Sequence, residues 1–459
     1  MSFRKYPFRL WTILCTLCLF LLVPFSGTVG TKTAFARSNT HSSISGNIPV
    51  LTYKYDNQRT GEDADETRLN VRNVNSQQFG RLVSYPVDGQ IYGQPLYVPH
   101  VQVGDTTRNL VFIVTERNSA YAFDADDTSG DTEPIWHTSF LDGSSTLISV
   151  QGMNCDNVTP ILGVTSTPVI DSASSTLFLV SYVDKNNAFT YELHALDLAT
   201  GHEKDGSPLI VHKTGFSSYR ERQRAGLLLA NGRIYMAFAS FCDHKPYHGW
   251  ILSYSYNNAG FHLRNAYNTT PTGTEGGIWS GGSAIAADPD GNIYAMTGNG
   301  TFNLNQGGSD AGDSFLKFNP DLHLVDYFTP FNQSCLNVSD KDLGSGGPLL
   351  APGNWLIGGG KQGTLYVMNT NHMGHFRSVA NPCGQQATSN LDPIQQELAL
   401  NPAHAIFSTP VYWHGPDRDY VFVARVRDHT QALSFSQGHL DGPVSSTPEI
   451  FSYSGGNHV

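Results

Sequence analysis

The sequence predicts an all-β chain, a β-propeller of about seven four-stranded blades, on three observations. Short runs of aliphatic, aromatic and β-branched residues recur in sets of three or four, each closed by Asp, Ser, Thr, Asn or Gly. Gly and Pro number 45 and 24 among 459 residues, while charged residues are 15%, well under the usual quarter. No amphipathic helix of convincing length interrupts the pattern.

The clearest copy lies between Ser166 and Gly201. It contains Pro168-Val169-Ile170-Asp171, Thr176-Leu177-Phe178-Leu179-Val180-Ser181 and Leu193-His194-Ala195-Leu196-Asp197-Leu198. Three strands with tight turns make an antiparallel meander, which buries both faces only between further copies. An earlier copy has Leu96-Tyr97-Val98, Leu110 to Val114 and Tyr121 to Ala125, with Trp136 at the fourth-strand position. Later copies begin near Gly226, Ala284, Pro348 and Thr409, and a seventh opens at Thr447-Pro448 just before the last residue given. The last blade is therefore expected to be incomplete. Phe79 to Tyr85 reads as an outermost strand that a propeller can use to finish its last blade.

Arg4, Lys5 and Arg9 precede an apolar run of 14 residues, Leu10 to Val23, and Ala34-Phe35-Ala36 offers a small-residue cleavage site. Residues 1–36 read as a secretory signal peptide and 37–50 as a flexible leader, with the propeller in 51–459. The run is short of the roughly 20 residues of a span, so no membrane span is expected once the leader is removed. The expected location is secreted, extracellular or periplasmic. A net charge of −11 without a basic patch argues against a nucleic-acid partner.

Four cysteines remain beyond the leader: Cys155, Cys242, Cys335 and Cys383. Exported chains favour disulfides, and three pairings are open. Loop position favours Cys155 with Cys242 and Cys335 with Cys383, against free thiols. First-to-second connections within a copy are mostly short. Second-to-third connections and the links between copies are mostly long, and in a four-stranded meander both emerge on one face of the disc. That face is the expected working side.

Candidate chemistry gathers in those loops. Cys242-Asp243-His244-Lys245-Pro246-Tyr247-His248 is the densest polar cluster; Asp243 and His248 can contact a ligand or metal, or simply brace the loop. Trp279, between Gly277 and Gly281, can lie under a flat ring or pack between blades. Asn299 can offer its oxygen to a hard cation or serve turn geometry. Asp340 and Asp342 offer a base, and Lys361 sits in a Gly-rich turn where it can touch an anionic or carbonyl group.

With these motifs in place, the chain resembles secreted β-propellers with pyrroloquinoline-quinone (PQQ)-like repeats, over nearly everything after residue 50, and in its middle the quinoprotein alcohol dehydrogenases. The resemblance implies PQQ and Ca²⁺ as cofactors. It matches Trp279 to a floor tryptophan, Asn299 to a Ca²⁺ ligand, Lys361 to a quinone contact, and Asp340 or Asp342 to the base. The adjacent cysteine pair of those enzymes is absent, and the Glu completing their metal site has no counterpart that can be placed. Two functions follow as expectations: an exported quinone- and Ca²⁺-dependent oxidoreductase acting on an alcohol or sugar, or a non-enzymatic propeller binding protein or glycan through its loop-rich face. Hydrolysis or lyase chemistry on sugars through Asp243 and His248 is a third, less specific reading.

Overall fold

The apolar runs become strands wherever alternation lets one side of the run pack on each neighbouring sheet. In the computed structural model, which describes residues 48–130, 133–385 and 391–453, they build six antiparallel sheets of four or more strands in chain order, besides a two-stranded pair of Ile148–Ser149 and Ile161–Leu162. The first is Leu96–Val103, Thr106–Thr115, Ser119–Asp124 and Trp136–Ser139. The second holds Val169–Asp171, Thr176–Lys185, Ala188–Asp197 and Leu209–Ile210, and the third Leu228–Ala230, Arg233–Ser240, Trp250–Asn257 and Gly260–Asn268. The fourth holds Ala286–Ala287, Ile293–Met296, Phe315–Phe318 and Leu324–Thr329, and the fifth Leu349–Ala351, Trp355–Gly359, Thr364–Asn369 and Gln396–Ala399. The sixth is Val411–His414, Asp419–Val423, Gln431–Ser436 and His439–Ser446.

Each sheet shares its apolar side chains with the next. Trp136 packs in one cluster with Leu196, Phe178 with Phe238, Tyr235 with Ile293, Met296 with Leu356, and Leu365 with Val421. Consecutive meanders packed face to face are the blades of a propeller.

The axis is filled by a segment that strand periodicity does not reveal. Val50 pairs with Tyr97 of the first sheet, and Leu51 O accepts from Ile170 N of the second. Asn57 Nδ2 donates to Leu229 O of the third, and Asn57 O accepts from Ala287 N of the fourth. Gln58 O and Thr60 O accept from Leu350 N and Tyr412 N of the fifth and sixth. One stretch of chain thus touches the inner strand of every sheet. Arg59, fully buried, donates to Ile285 O, Leu227 O, Tyr53 O and Thr52 Oγ1, so its charge is met by fixed carbonyl and hydroxyl dipoles.

Three expectations change. Phe79 to Tyr85 forms no strand; Tyr85 instead stacks on Phe123 of the first sheet with ring centroids 4.7 Å apart. The sixth sheet has four strands of its own, so it needs none from the N-terminal side. The copy expected at Thr447-Pro448 contributes no strand among the described residues; this segment turns back, with Phe451 N donating to Asp428 O. The long segment of the fifth sheet is its third-to-fourth connection, from which His375–Phe376 pairs in parallel with the fourth sheet. The expected signal peptide, and residues 37–47 of the expected leader, lie outside the described residues. Among those described, no helix is long and apolar enough to cross a membrane. Both favoured disulfides are formed, Cys155–Cys242 and Cys335–Cys383.

Candidate functional site

The link entering each blade sets down one residue at the mouth of the axis. Tyr92, Thr165, Arg224, Gly282, Ser345 and Phe407 each lie four residues ahead of the first residue of their sheet's inner strand, and all six line one cavity of about 470 Å³. Cys242, Asp243, Trp279, Asp342, Lys361 and Tyr453 complete its wall on the face that carries the long loops. A groove of about 570 Å³ lies between the second and third sheets, at the end of the short turns. Its polar groups are already engaged: Lys204 donates to Ser174 O and Thr176 Oγ1, and Tyr256 to Asp205 O. The axial cavity is the better candidate, because hydrogen-bonding capacity there is unspent.

Trp279 is 9% exposed and its indole N–H has no partner, an unusual state for a buried donor. Tyr247 supports the ring edge-on at 6.2 Å. Gly298 makes the wall possible: a Cβ there would stand 2.2 Å from Asp342 Oδ1 and 2.7 Å from Trp279 Cδ1. Only glycine lets the fourth-sheet loop pass between indole and carboxylate.

Asn299, Asp340, Asp342 and Lys361 form one cluster. Asn299 N donates to Asp342 Oδ1 at 2.8 Å, and Asn299 Nδ2 to Asp340 Oδ1 at 3.0 Å. Lys361 Nζ lies 2.6 Å from Asp342 Oδ2 and 2.7 Å from Asp340 Oδ1. Asp342 is buried while Asp340 is exposed. Burial raises the Asp342 carboxyl above its usual range although Lys361 opposes this. Burial works against the Lys361 charge too, but Asp342 and Asp340 hold the ammonium above its ordinary value. Beneath them Asp313 is fully buried, its carboxyl pushed well up by burial while it accepts from Leu343 N.

Asp243 lines the cavity beside the Cys155–Cys242 disulfide and accepts from Tyr247 Oη at 2.8 Å. His248 does not reach the cavity; its Nδ1 lies 3.0 Å from Thr270 Oγ1, bracing the loop. Sequence reasoning passed over Arg224. Its guanidinium has no hydrogen bond or ion pair with any described residue, and burial lowers it to about 10, so it stays charged at neutral pH. Its place between two short strands of one inner edge, Glu221–Gln223 and Leu228–Ala230, follows only from the sheet.

The oxygen set does not fit Ca²⁺. Such an ion takes six to eight oxygens. Asp342 gives one oxygen to Asn299 N–H and the other to Lys361, and Asp340 Oδ1 accepts from Asn299 Nδ2 and Lys361, which leaves Asn299 Oδ1 as the buried oxygen without a partner, well short of such a set. No group of three His, Cys, Asp or Glu able to hold a metal occurs among the described residues. Asn299, expected as a Ca²⁺ ligand, donates its side-chain N–H to Asp340 and keeps its Oδ1 unpartnered.

No family model and no curated sequence matches the chain. Among solved structures it is similar to the quinohemoprotein alcohol dehydrogenase from Comamonas testosteroni, with a TM-score of 0.54 and 13% identity over 84% of this chain. The match spans 59% of that dehydrogenase. Saccharomyces cerevisiae Sqt1 gives a TM-score of 0.37 at 9% identity, over 72% of this chain and 81% of that one. The likeness to that dehydrogenase supports the fold, a β-propeller.

Proposed function

We propose that the chain is an exported oxidoreductase whose axial cavity takes a flat, anionic quinone cofactor of the PQQ type and oxidises an alcohol or sugar. The observation that carries this reading is the convergence of Trp279, Asp342 and Lys361 on one axial cavity, with Arg224 unpaired in its wall. The two disulfides favour an exported chain.

The quinone, when bound, supplies a two-electron acceptor. Trp279 offers the platform, and its free N–H a hydrogen bond at the ring edge. Arg224 pairs with an anionic group. Asp342 takes the hydroxyl proton of the substrate, and its raised pKa makes it a stronger base than a solvent-exposed carboxylate. Lys361 holds the Asp342 carboxylate in place before the transfer and can donate to a carbonyl oxygen.

The test is titration of the purified chain with PQQ, followed by dye reduction with alcohols and sugars. Tryptophan quenching together with dye reduction supports the proposal; no binding at micromolar cofactor removes it. A second reading, ligand binding without turnover, is favoured by the engagement of both Asp342 oxygens. It is the outcome if quenching occurs and no donor reduces the dye.

A further inference from the structure

The positive charge in the axial cavity is covalent. Arg224 projects from the break in the third sheet's inner edge, and Lys361 from the second-to-third turn of the fifth. Lys361 is held in place by two carboxylates. Arg224 has no partner among the described residues. Behind it, buried Arg222 keeps one guanidinium nitrogen unsatisfied, and buried Glu116 keeps one oxygen unsatisfied. Glu116 spends its other oxygen on Gly163 N–H and the Thr165 hydroxyl. Glu116 attracts both Arg222 and Arg224 but forms an ion pair with neither, so Arg224 lines the cavity without a carboxylate in contact.

The oxygen donors that a hard dication would need are correspondingly scarce. The buried unspent oxygen of the cluster, Asn299 Oδ1, belongs to a residue whose N–H already bonds to the carboxylate that pairs with Lys361. A dication beside that oxygen would approach the Lys361 ammonium and would have to displace it from Asp342. Like charges in contact repel. The same ammonium can instead face an anionic or carbonyl oxygen directly.

We infer that this cavity binds its planar anionic ligand without a divalent cation: Arg224 supplies the charge and pairs with a carboxylate of the ligand, while Lys361, already held by Asp340 and Asp342, donates to a carbonyl oxygen. The inference rests on the reading of the cavity as a quinone site and adds how that ligand is recognised. It departs from the Ca²⁺ dependence that the quinoprotein resemblance implies.

The experiment is calorimetric and fluorescence titration of the full chain with PQQ, once in excess EDTA and once in millimolar CaCl₂. The dissociation constants are expected to agree within about threefold, under 1 kcal/mol of coupling. Arg224→Met is expected to weaken binding about tenfold or more in both buffers, and Arg224→Lys less, because charge survives without the planar fork. Thermal melts of both variants establish that they fold, and Arg224→Lys carries the comparison if Arg224→Met does not. Binding that appears only with Ca²⁺ overturns the inference and leaves the quinone reading standing. Undiminished binding by folded Arg224→Met overturns it too. Binding in neither buffer overturns the inference together with the reading beneath it.

Discussion

The backbone N–H of Asn299 donates to Asp342 Oδ1 across 2.8 Å, and this bond ties the fourth blade to the link entering the fifth. Lys361 closes the same carboxylate from the other side at 2.6 Å. A buried carboxylate with a backbone donor and an ammonium is oriented as well as charged. Asp342→Asn keeps the size and removes the base. Turnover in the dye assay is expected to fall about 100-fold or more, while ligand affinity changes little. Equal loss in Asp340→Asn would place the base on the exposed carboxyl instead.

Gly298 is the point where indole and carboxylate come within reach of one another. Gly298→Ala puts a methyl 2.2 Å from Asp342 Oδ1, so the loop must shift. Denaturant unfolding is expected to show a loss of about 1–3 kcal/mol. Tryptophan quenching by the ligand should weaken in parallel. Unchanged stability and unchanged quenching would mean that the loop yields freely.

The axial segment is expected to be a keystone. Arg59→Ala removes the donor to Ile285 O, Leu227 O and Tyr53 O and leaves a void where the fully buried side chain was. The expected cost is about 3 kcal/mol or more, read from the urea midpoint at unchanged slope. A loss under about 1 kcal/mol would show that the segment decorates the axis without holding it.

Asp392 and Glu397 are both buried, each with one carboxylate oxygen lacking a partner. Asp392 N donates to Glu397 Oε1, which brings the two acids together. Burial, reinforced by Glu397, raises Asp392 to about 8. In the unfolded chain its pKa is about 4. Between these values the unfolded state has released a proton that the folded state keeps, so stability falls as pH rises from about 4 to 8. Asp392→Asn, which can donate where the protonated acid does, should flatten the dependence of melting temperature on pH across that window. An unaltered slope would assign the dependence to other groups.

The two disulfides should separate stability from binding. Cys155–Cys242 closes 87 residues and Cys335–Cys383 closes 48, so either double Ser variant is expected to lose about 2–4 kcal/mol. Cys242 lines the axial cavity and Cys335 does not. Ligand affinity should drop in the first variant and hold in the second.

Much of this was legible in the residues. The runs at Thr176 to Ser181 and Leu193 to Asp197 became paired strands because a continuous apolar run bounded by turn residues is what a strand buried on both faces requires. Trp279, Asp342 and Lys361 were found from their glycine-rich or acidic loops, and the disulfide pairing from loop position. Val50 to Thr60 was not legible as a plug. Its contacts run through main-chain carbonyls and two buried cations, which leave no periodic trace. Arg224 was hidden for a related reason: it matters because an inner strand breaks there, and a break is a property of the sheet. Phe79 to Tyr85 misled because a short run rich in apolar residues also suits a segment that lays one aromatic ring, Tyr85, on a neighbouring sheet.

The most direct measurement is a crystal structure of the chain soaked with PQQ. The expected result is planar density stacked on Trp279, with a carboxylate at Arg224 and a ring oxygen within reach of Lys361. An empty axial cavity in crystals grown with saturating ligand, or density confined to the groove between the second and third sheets, would contradict the account.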